Sequence, residues 1–457
     1  MANTYLTRNM TTQGSSIKGT FSCWFKLAND NLTGGFLGHY YSNAYNFDIC
    51  MQLGHIEVAD YRTAYILRKR TTAKYRDVNA WYHLYVAIDR SLATASDRCK
   101  IYVNGERITD FQSSEDQDYS QQTSGGHTGS ISMNNDYTAR VGLRYGSSDF
   151  FNGSISHMHW VDGSVIDIAQ FGSTDTTTGE WKINTSPTVA DYGTNGFFIL
   201  KDGNTITDQS SGGSYNFSLG GGTLTKTEDC PSNVFATLNP LDNYYASSTF
   251  SNGNTSQTSN AGAYAWVPST LGMTTGKFYA ECKQTGFSGG SNYDLIGITG
   301  SQNDASTHHL GQIAYTVGYY AQGNVYNQSG STTSTYASYT TNDIIGVALD
   351  LDNNKLYFSK NGVWQNSGDP TSGATGTGAL NITAPSAMTG ATATGVYRFA
   401  SGDYGNTVVV NNSWNFGNGY FGTTAVSSAG TNASGNGIFE YDVPTGYTAL
   451  STKGLNL

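Results

Sequence analysis

Apolar and polar positions alternate with a period of two over much of this chain, and the clearest instance runs from Ile344 to Trp364. Ile345, Val347 and Leu349 fall on one side of a first run, and Leu356 and Phe358 continue the period in a second. Successive side chains of a strand point to opposite faces, so this spacing predicts two strands, each with one buried face. Asp352-Asn353-Asn354 separates them and Asn361-Gly362 follows the second. Both residues of an Asn-Gly pair tolerate the positive φ that a tight hairpin turn requires. The same plan occurs far upstream. There residues 82–89 make the first run, residues 100–103 the second, and Asn104-Gly105 the turn. Each version reads strand, Asp, polar turn, Lys-x-Tyr, Asn-Gly, which predicts two β-sandwiches drawn to one plan.

The remaining pattern fills in both sandwiches. In the first, strands are expected at residues 20–27, 34–40, 47–53, 140–143 and 153–163, with a first strand and an extended arm within residues 1–14 and one short helix at 165–171. In the second, they are expected around residues 276–283, 295–298, 313–319, 395–399, 408–410 and 438–441. Pro231, Pro240 and the polar residues around them mark a boundary, because Pro and polar clusters punctuate elements. The expected architecture is all-β: two concanavalin-like β-sandwich (jelly-roll) domains, residues 1–225 and 241–457, joined by a short linker at 226–240.

Composition narrows the class. The 457 residues include 55 Gly, 32 Tyr and 20 Phe, and only 13% are charged, against about 25% in an average domain. Such a chain fits a loop-rich β module better than a helical enzyme. A net charge of −10 argues against nucleic acid, which needs a basic surface to neutralise phosphates. The basic run Arg68-Lys69-Arg70 reads as one solvated strand face. There is no apolar run of the ~20 residues needed to cross a bilayer, and residues 1–8 lack the apolar core of an export signal. The five cysteines are scattered and odd in number, which predicts free thiols in a chain made in a reducing compartment, the cytosol.

Short motifs carry a resemblance. Trp24, Trp81-Tyr82-His83, Val103-Asn104-Gly105 and Gly153-Ser154-Ile155 before Val161-Asp162-Gly163 resemble the laminin-G/concanavalin-A-like sandwiches over the first half of the chain. Gly276-Lys277-Phe278-Tyr279-Ala280-Glu281, Ile296-Gly297-Ile298, Gly346-Val347-Ala348-Leu349-Asp350 and residues 355–364 resemble a SPRY domain. The ending, Trp414-Asn415-Phe416-Gly417 and then residues 443–450, is similar to the ends of virion appendage proteins of marine tailed bacteriophages. The resemblance implies a structural or adhesive virion surface protein: a tail fibre, a spike or a capsid protrusion. Its implied partners are other virion proteins and host surface polysaccharide, and its implied state is a homo-oligomer on the virion surface.

Candidate chemistry is sparse. Concanavalin-like folds include glycan hydrolases and lyases, which need two carboxylates at a set separation. Asp350-Leu351-Asp352 and Asp116-Gln117-Asp118 have the spacing, but the first belongs to a hairpin turn and the second to a polar loop, so no enzyme is expected. His157 and His159 share a strand face without an evident third ligand, and the adjacent His308 and His309 chelate poorly. Glu115, Asp116 and Asp118 are the candidates for a calcium site; no other cofactor is implied. Tyr319, Tyr320, Trp364, Tyr244 and Tyr245 are the candidate stacking residues for sugars or for a neighbouring virion protein. The alternatives are a glycan-active hydrolase or lyase, and a peptide-binding adaptor of the kind cellular SPRY domains provide.

Overall fold

Alternating burial along the strands sets the architecture. In the strand Tyr45–Gln52, Phe47, Ile49 and Met51 enter a core shared with Phe21, Cys23 and Phe25 of the strand Lys18–Leu27. The computed structural model describes residues 3–122, 131–134, 136–144, 146, 148–201, 206–211, 215–328, 336–405 and 407–456. The chain divides into two compact units, Met1–Lys226 with Cys230–Ser232, and Thr227–Asp229 with Asn233–Leu457. Both are β-sandwiches. Among the described residues no helix is long and apolar enough to cross a membrane.

In the first unit one antiparallel sheet runs Phe197–Ile199, Gly153–Asp162, Lys18–Leu27, Trp81–Asp89, Cys99–Val103, Glu106–Ile108. The facing sheet runs Phe111–Gln117, Ala64–Thr71, His55–Arg62, Tyr45–Gln52, Gly34–Ser42, Thr138–Val141, Tyr5–Asn9, Ser218–Gly221. The expected first strand is Tyr5–Asn9, which lies inside a sheet and is paired on both sides, and Leu6 and Met10 are buried. The helix expected at 165–171 is a single 3-10 turn, Ile168–Gln170, capped by Asp167.

The second unit has one sheet ordered Thr249–Ser251, Ser256–Thr258, Val409–Asn415, Lys277–Ser288, Ile344–Asp350, Lys355–Lys360, Val363–Trp364. Against it packs a five-stranded sheet, Trp266–Pro268, Ala393–Asp403, Asp294–Ser301, Thr316–Tyr320, Val325–Asn327. Between them lie Phe278, Ile296, Val317, Val347, Phe358, Phe399 and Trp414, each worth roughly 1.5–3 kcal/mol by burial. Most of the expected linker belongs here. Phe235, Ala236 and Leu238 are buried, and the Ala236 amide donates to the Leu450 carbonyl at 3.0 Å. The boundary residues before Asn233 are the ones that alternate between the units.

The repeated sequence plan has an atomic basis. Lys18 pairs with Asp89 across neighbouring strands at 3.1 Å, and Lys277 pairs with Asp350 in the same way at 3.0 Å. Asn104 and Gly105 sit at φ 50° and 81°, Asn361 and Gly362 at 49° and 79°; all four values are those of a tight hairpin turn. Each Asn side chain accepts the amide of a residue on the neighbouring strand at 2.8 Å, His83 in one unit and Ile344 in the other. Cys23 and Cys282 occupy matching buried positions, five residues after Lys18 and Lys277. All five cysteines are free thiols.

Candidate functional site

Alternation in the five-stranded sheet sends Ile296, Ile298, Val317 and Tyr319 into the core, so Leu295 and Tyr320 emerge on the outer face. That face is aromatic. Trp266, Leu295, Leu310, Tyr320 and Ala400 form its floor, and Tyr293, Ile313, Tyr326 and Tyr404 stand half-buried above them. Tyr404 is the hub: it stacks on Tyr326 at 5.2 Å and 10°, meets Tyr320 at 5.2 Å and His309 at 4.5 Å, and touches Tyr293 at 6.1 Å. Tyr293 and Tyr404 come from loops at one end of the sheet, Tyr326 from a hairpin and His309 from a turn. Rings with apolar bodies and polar tips are what an interaction surface offers.

A buried polar layer holds these loops. Asp294 and Asp403 are cross-strand neighbours, both facing inward and buried. Asp294 accepts from Asn412 at 2.7 Å and from Gln284 at 3.1 Å, while Asn292 ties Gln284 to the Tyr339 carbonyl. The Tyr404 amide donates to the Tyr293 carbonyl at 2.7 Å, and the Gly405 amide to Asp403 at 3.3 Å. Burial pushes both carboxyls up to about 7, and Asp294 adds to the effect on Asp403. The network fixes the loop carrying Tyr293 to the loop carrying Tyr404 and so holds the rings in place.

Of the five candidate aromatics, only Tyr320 belongs to this face. Tyr319 is a correction: its neighbours Tyr336, Tyr339 and Phe358 enclose it in the core, and its hydroxyl is tied to the Ala337 carbonyl, so no ligand stacks on it. Tyr320 is itself 5% exposed and serves as floor under Tyr326 and Tyr404, not as a platform. Tyr244 is 85% exposed and meets Tyr245 edge-on, with Tyr245 packed against the core. Trp364 is half-buried beside Tyr279. Tyr293, Tyr326 and Tyr404 were missed; their signal was the density of tyrosine at strand ends.

The calcium candidates are also corrected. Residues 111–117 are an edge strand, not a loop, and their carboxylates face cations: Asp116 and Asp118 meet Lys69, and Glu115 meets Arg68 and Arg70. Among the described residues no three acidic, His or Cys side chains gather as a metal site. The basic run is likewise paired rather than a plain solvated face. Arg68, Arg70 and Arg144 converge on Glu57, which is fully buried, at 3.2, 2.6 and 2.9 Å.

Asp350 is held by Lys277 and by Asn353, and Asp352 accepts the Gly276 amide at 2.8 Å. These are turn bonds. A Ser–His pair in the first unit also invites a catalytic reading, and geometry decides against it. Trp181 Nε1–H donates to His83 Nδ1 at 3.0 Å, so the His83 proton sits on Nε2 and is donated to Ser22 Oγ at 2.8 Å. That imidazole cannot take the serine proton, and burial lowers its pKa to about 3. His159 is buried between Phe171, Phe198 and Tyr192. His157 begins a bulge, with φ 47°. A cavity of about 350 Å³ in the second unit is lined by Lys277, Phe278, Asp352, Ser434 and Tyr447.

Residues 284–389 match the family model of the SPRY domain, so the second unit carries a SPRY domain. No curated protein is significantly similar to the chain in sequence. Among solved structures it is similar to the SPRY domain of human HERC1, at 18% identity over 39% of this chain and 96% of that one, TM-score 0.30. It is also similar to the TRIM65 PSpry domain, at 11% identity over 39% and 91%, TM-score 0.27. A heptameric SAP-like pentraxin from Limulus polyphemus matches at 14% identity over 36% and 71%, TM-score 0.26.

Proposed function

We propose that this chain is a non-catalytic structural or adhesive protein of a virion surface, assembled in several copies, whose SPRY domain grips a protein partner through the face centred on Tyr404. The observation that carries the reading is the Tyr404 cluster itself. Aromatic rings with polar tips are locked in place from below by Asp294 and Asp403, which lowers the ordering cost of binding. The SPRY match supports a polypeptide as the partner, and on a particle that polypeptide is a neighbouring virion protein. The tail-like ending, the acidic charge and the Tyr-, Gly- and Asn-rich surface support display on a particle released from the host cytoplasm. Symmetric assembly is the usual state of such components.

Two measurements test this. Mass spectrometry and electron microscopy of purified particles should find the protein at a surface position in a fixed copy number; abundance in the lysate with absence from particles defeats the virion placement. Tyr404→Ala should weaken incorporation or partner capture at least 10-fold with the fold retained. Unchanged incorporation would move the contact to another surface.

A further inference from the structure

We infer that the first unit carries its own binding site for a neutral glycan, a row of tyrosines at one hairpin tip and at the start of the strand beside it. Tyr137, Tyr41 and Tyr45 make the row. Tyr41 stacks on Tyr137 at 4.3 Å and 25°, and Tyr45 stands edge-on to Tyr41 at 6.2 Å. Tyr41 is 58% exposed and Tyr45 42%, among the most exposed large side chains of the unit.

A bulge creates this presentation. The strand Gly34–Ser42 pairs Tyr40 with Asn46 and Ser42 with Tyr45, so Tyr41 is the extra residue and its ring is thrown clear of the sheet. The neighbouring tip, at Arg62–Ala64, is tied to the first by the Thr63 amide, which donates to the Ala44 carbonyl at 2.7 Å. On that tip Tyr61 and Tyr65 form a second edge-on pair at 5.0 Å, and the Tyr61 hydroxyl donates to the Thr63 carbonyl at 3.0 Å. Asn43 accepts the Tyr40 hydroxyl at 3.3 Å. The rings are therefore displayed on braced turns, which favours binding without a large ordering cost.

Size and charge select the occupant. An aromatic side chain buries about 150–250 Å², so three partly exposed rings offer roughly 200–300 Å², well short of the ~800 Å² a side of a stable protein interface. A second copy or another folded protein is too large for so small a patch. Charge excludes a polyanion. The chain carries −10, Asp136 is exposed beside Tyr137, and the nearest guanidinium groups are engaged. Arg62 binds Ser132 and lies 3.7 Å from Asp60, and Arg140 binds the Gly146 carbonyl and covers the Tyr40 ring. What remains is a row of flat rings bordered by hydroxyls and amides. Neutral hexopyranoses fit it, with C–H faces for the rings and hydroxyls for Asn43, Thr63 and the tyrosine tips. So small a contact makes a weak single site, which presentation in several copies would strengthen through avidity. The inference is independent of the SPRY face and of placement on a virion.

The full chain should be tested on an array printed with neutral gluco-, manno- and galacto-oligosaccharides beside sialylated and uronic-acid ones. Retention on neutral spots is expected, followed by titration of the best trisaccharide by saturation-transfer NMR. Tyr41→Ala and Tyr45→Ala should each weaken that binding at least 10-fold with an unchanged melting temperature. Tyr41→Phe should keep most of it, since the stacking face survives, and Tyr404→Ala should leave it untouched. No neutral spot retained, a preference for acidic glycans, or binding indifferent to Tyr41→Ala overturns the inference.

Discussion

The two units share a frame and differ in what they hang on it. Each has a sheet in which a late strand, a Lys-led strand and an Asn-Gly meander lie side by side: Gly153–Asp162, Lys18–Leu27, Trp81–Asp89 in one and Val409–Asn415, Lys277–Ser288, Ile344–Asp350 in the other. The Lys–Asp cross-strand pair, the Asn side-chain bond and the buried Cys recur at matching positions. Even the cover recurs. A Cβ on Gly105 would strike the Trp181 ring, and one on Gly362 the Tyr441 ring. The facing sheets diverge. In the first unit the outer side is ionic, with three arginines around Glu57; in the second it is aromatic, around Tyr404. The frame is shared and the faces differ, so a difference in function between the units is to be sought on the faces.

The sharpest way to break this contrast is Glu57→Ala. It leaves Arg68, Arg70 and Arg144 without the buried carboxylate they share, a change that costs roughly 3–5 kcal/mol. Hydrogen exchange on the full chain should show the loss in the first unit alone. Tyr404→Ala removes a half-buried ring and should cost the second unit about 1–2 kcal/mol. Equal effects would mean that the ionic face is as dispensable as the aromatic one.

Acidity separates the units next. Glu281, Asp294 and Asp403 in the second unit have carboxyls raised to about 7 by burial. A raised acid binds its proton more tightly when folded, so its stabilisation is complete below the ordinary carboxylate range and is lost as pH rises through 7. His309, lowered by burial, opposes them. In the first unit burial lowers His83 to about 3 and His159 well below the usual value. Their contribution is complete above the ordinary histidine range and is lost as pH falls, with Asp60 and Asp162, raised by burial, opposing. Going from pH 8 to pH 5 should therefore stabilise the second unit, by on the order of 5 kcal/mol, and weaken the first. Exchange protection at the two pH values measures both. Parallel responses would refute the assignment.

The sequence made the frame legible because strand alternation and Asn-Gly are local signals. Phe358, Leu349 and Gly362 lie where the period of two and the turn chemistry put them. It did not separate Tyr319 from Tyr320, because both faces of that strand are covered and alternation alone does not say which ring meets solvent. The Tyr404 cluster gathers residues from positions 266 to 404, and the Tyr41 row depends on a bulge; neither has a local signature. The proline signals near 231 and 240 marked turns, yet Phe235 and Leu238 between them are buried in the second unit. Glu115, Asp116 and Asp118 looked like free acids because the arginines and lysine opposite them lie a strand away.

The smallest effect probes the duplicated turn. Asn104→Gly and Asn361→Gly keep the positive φ and remove only the side chain. Each loses one bond to a buried backbone amide, at His83 and at Ile344, a loss of about 1 kcal/mol. The two changes should not be equal. Asn361 also donates through Nδ2 to Asp343 at 2.7 Å, and Asp343 is paired with Lys360 at 3.1 Å. That bond helps to hold the Asp343 carboxyl below its usual range, so Asn361→Gly should raise the Asp343 pKa as well as lower stability, and should cost the second unit a few tenths of a kcal/mol more than Asn104→Gly costs the first. Urea unfolding followed by exchange in each unit, with Asp343 titrated by NMR, reads both quantities. Equal losses with an unmoved Asp343 would show that the two turns are held by the shared bond alone.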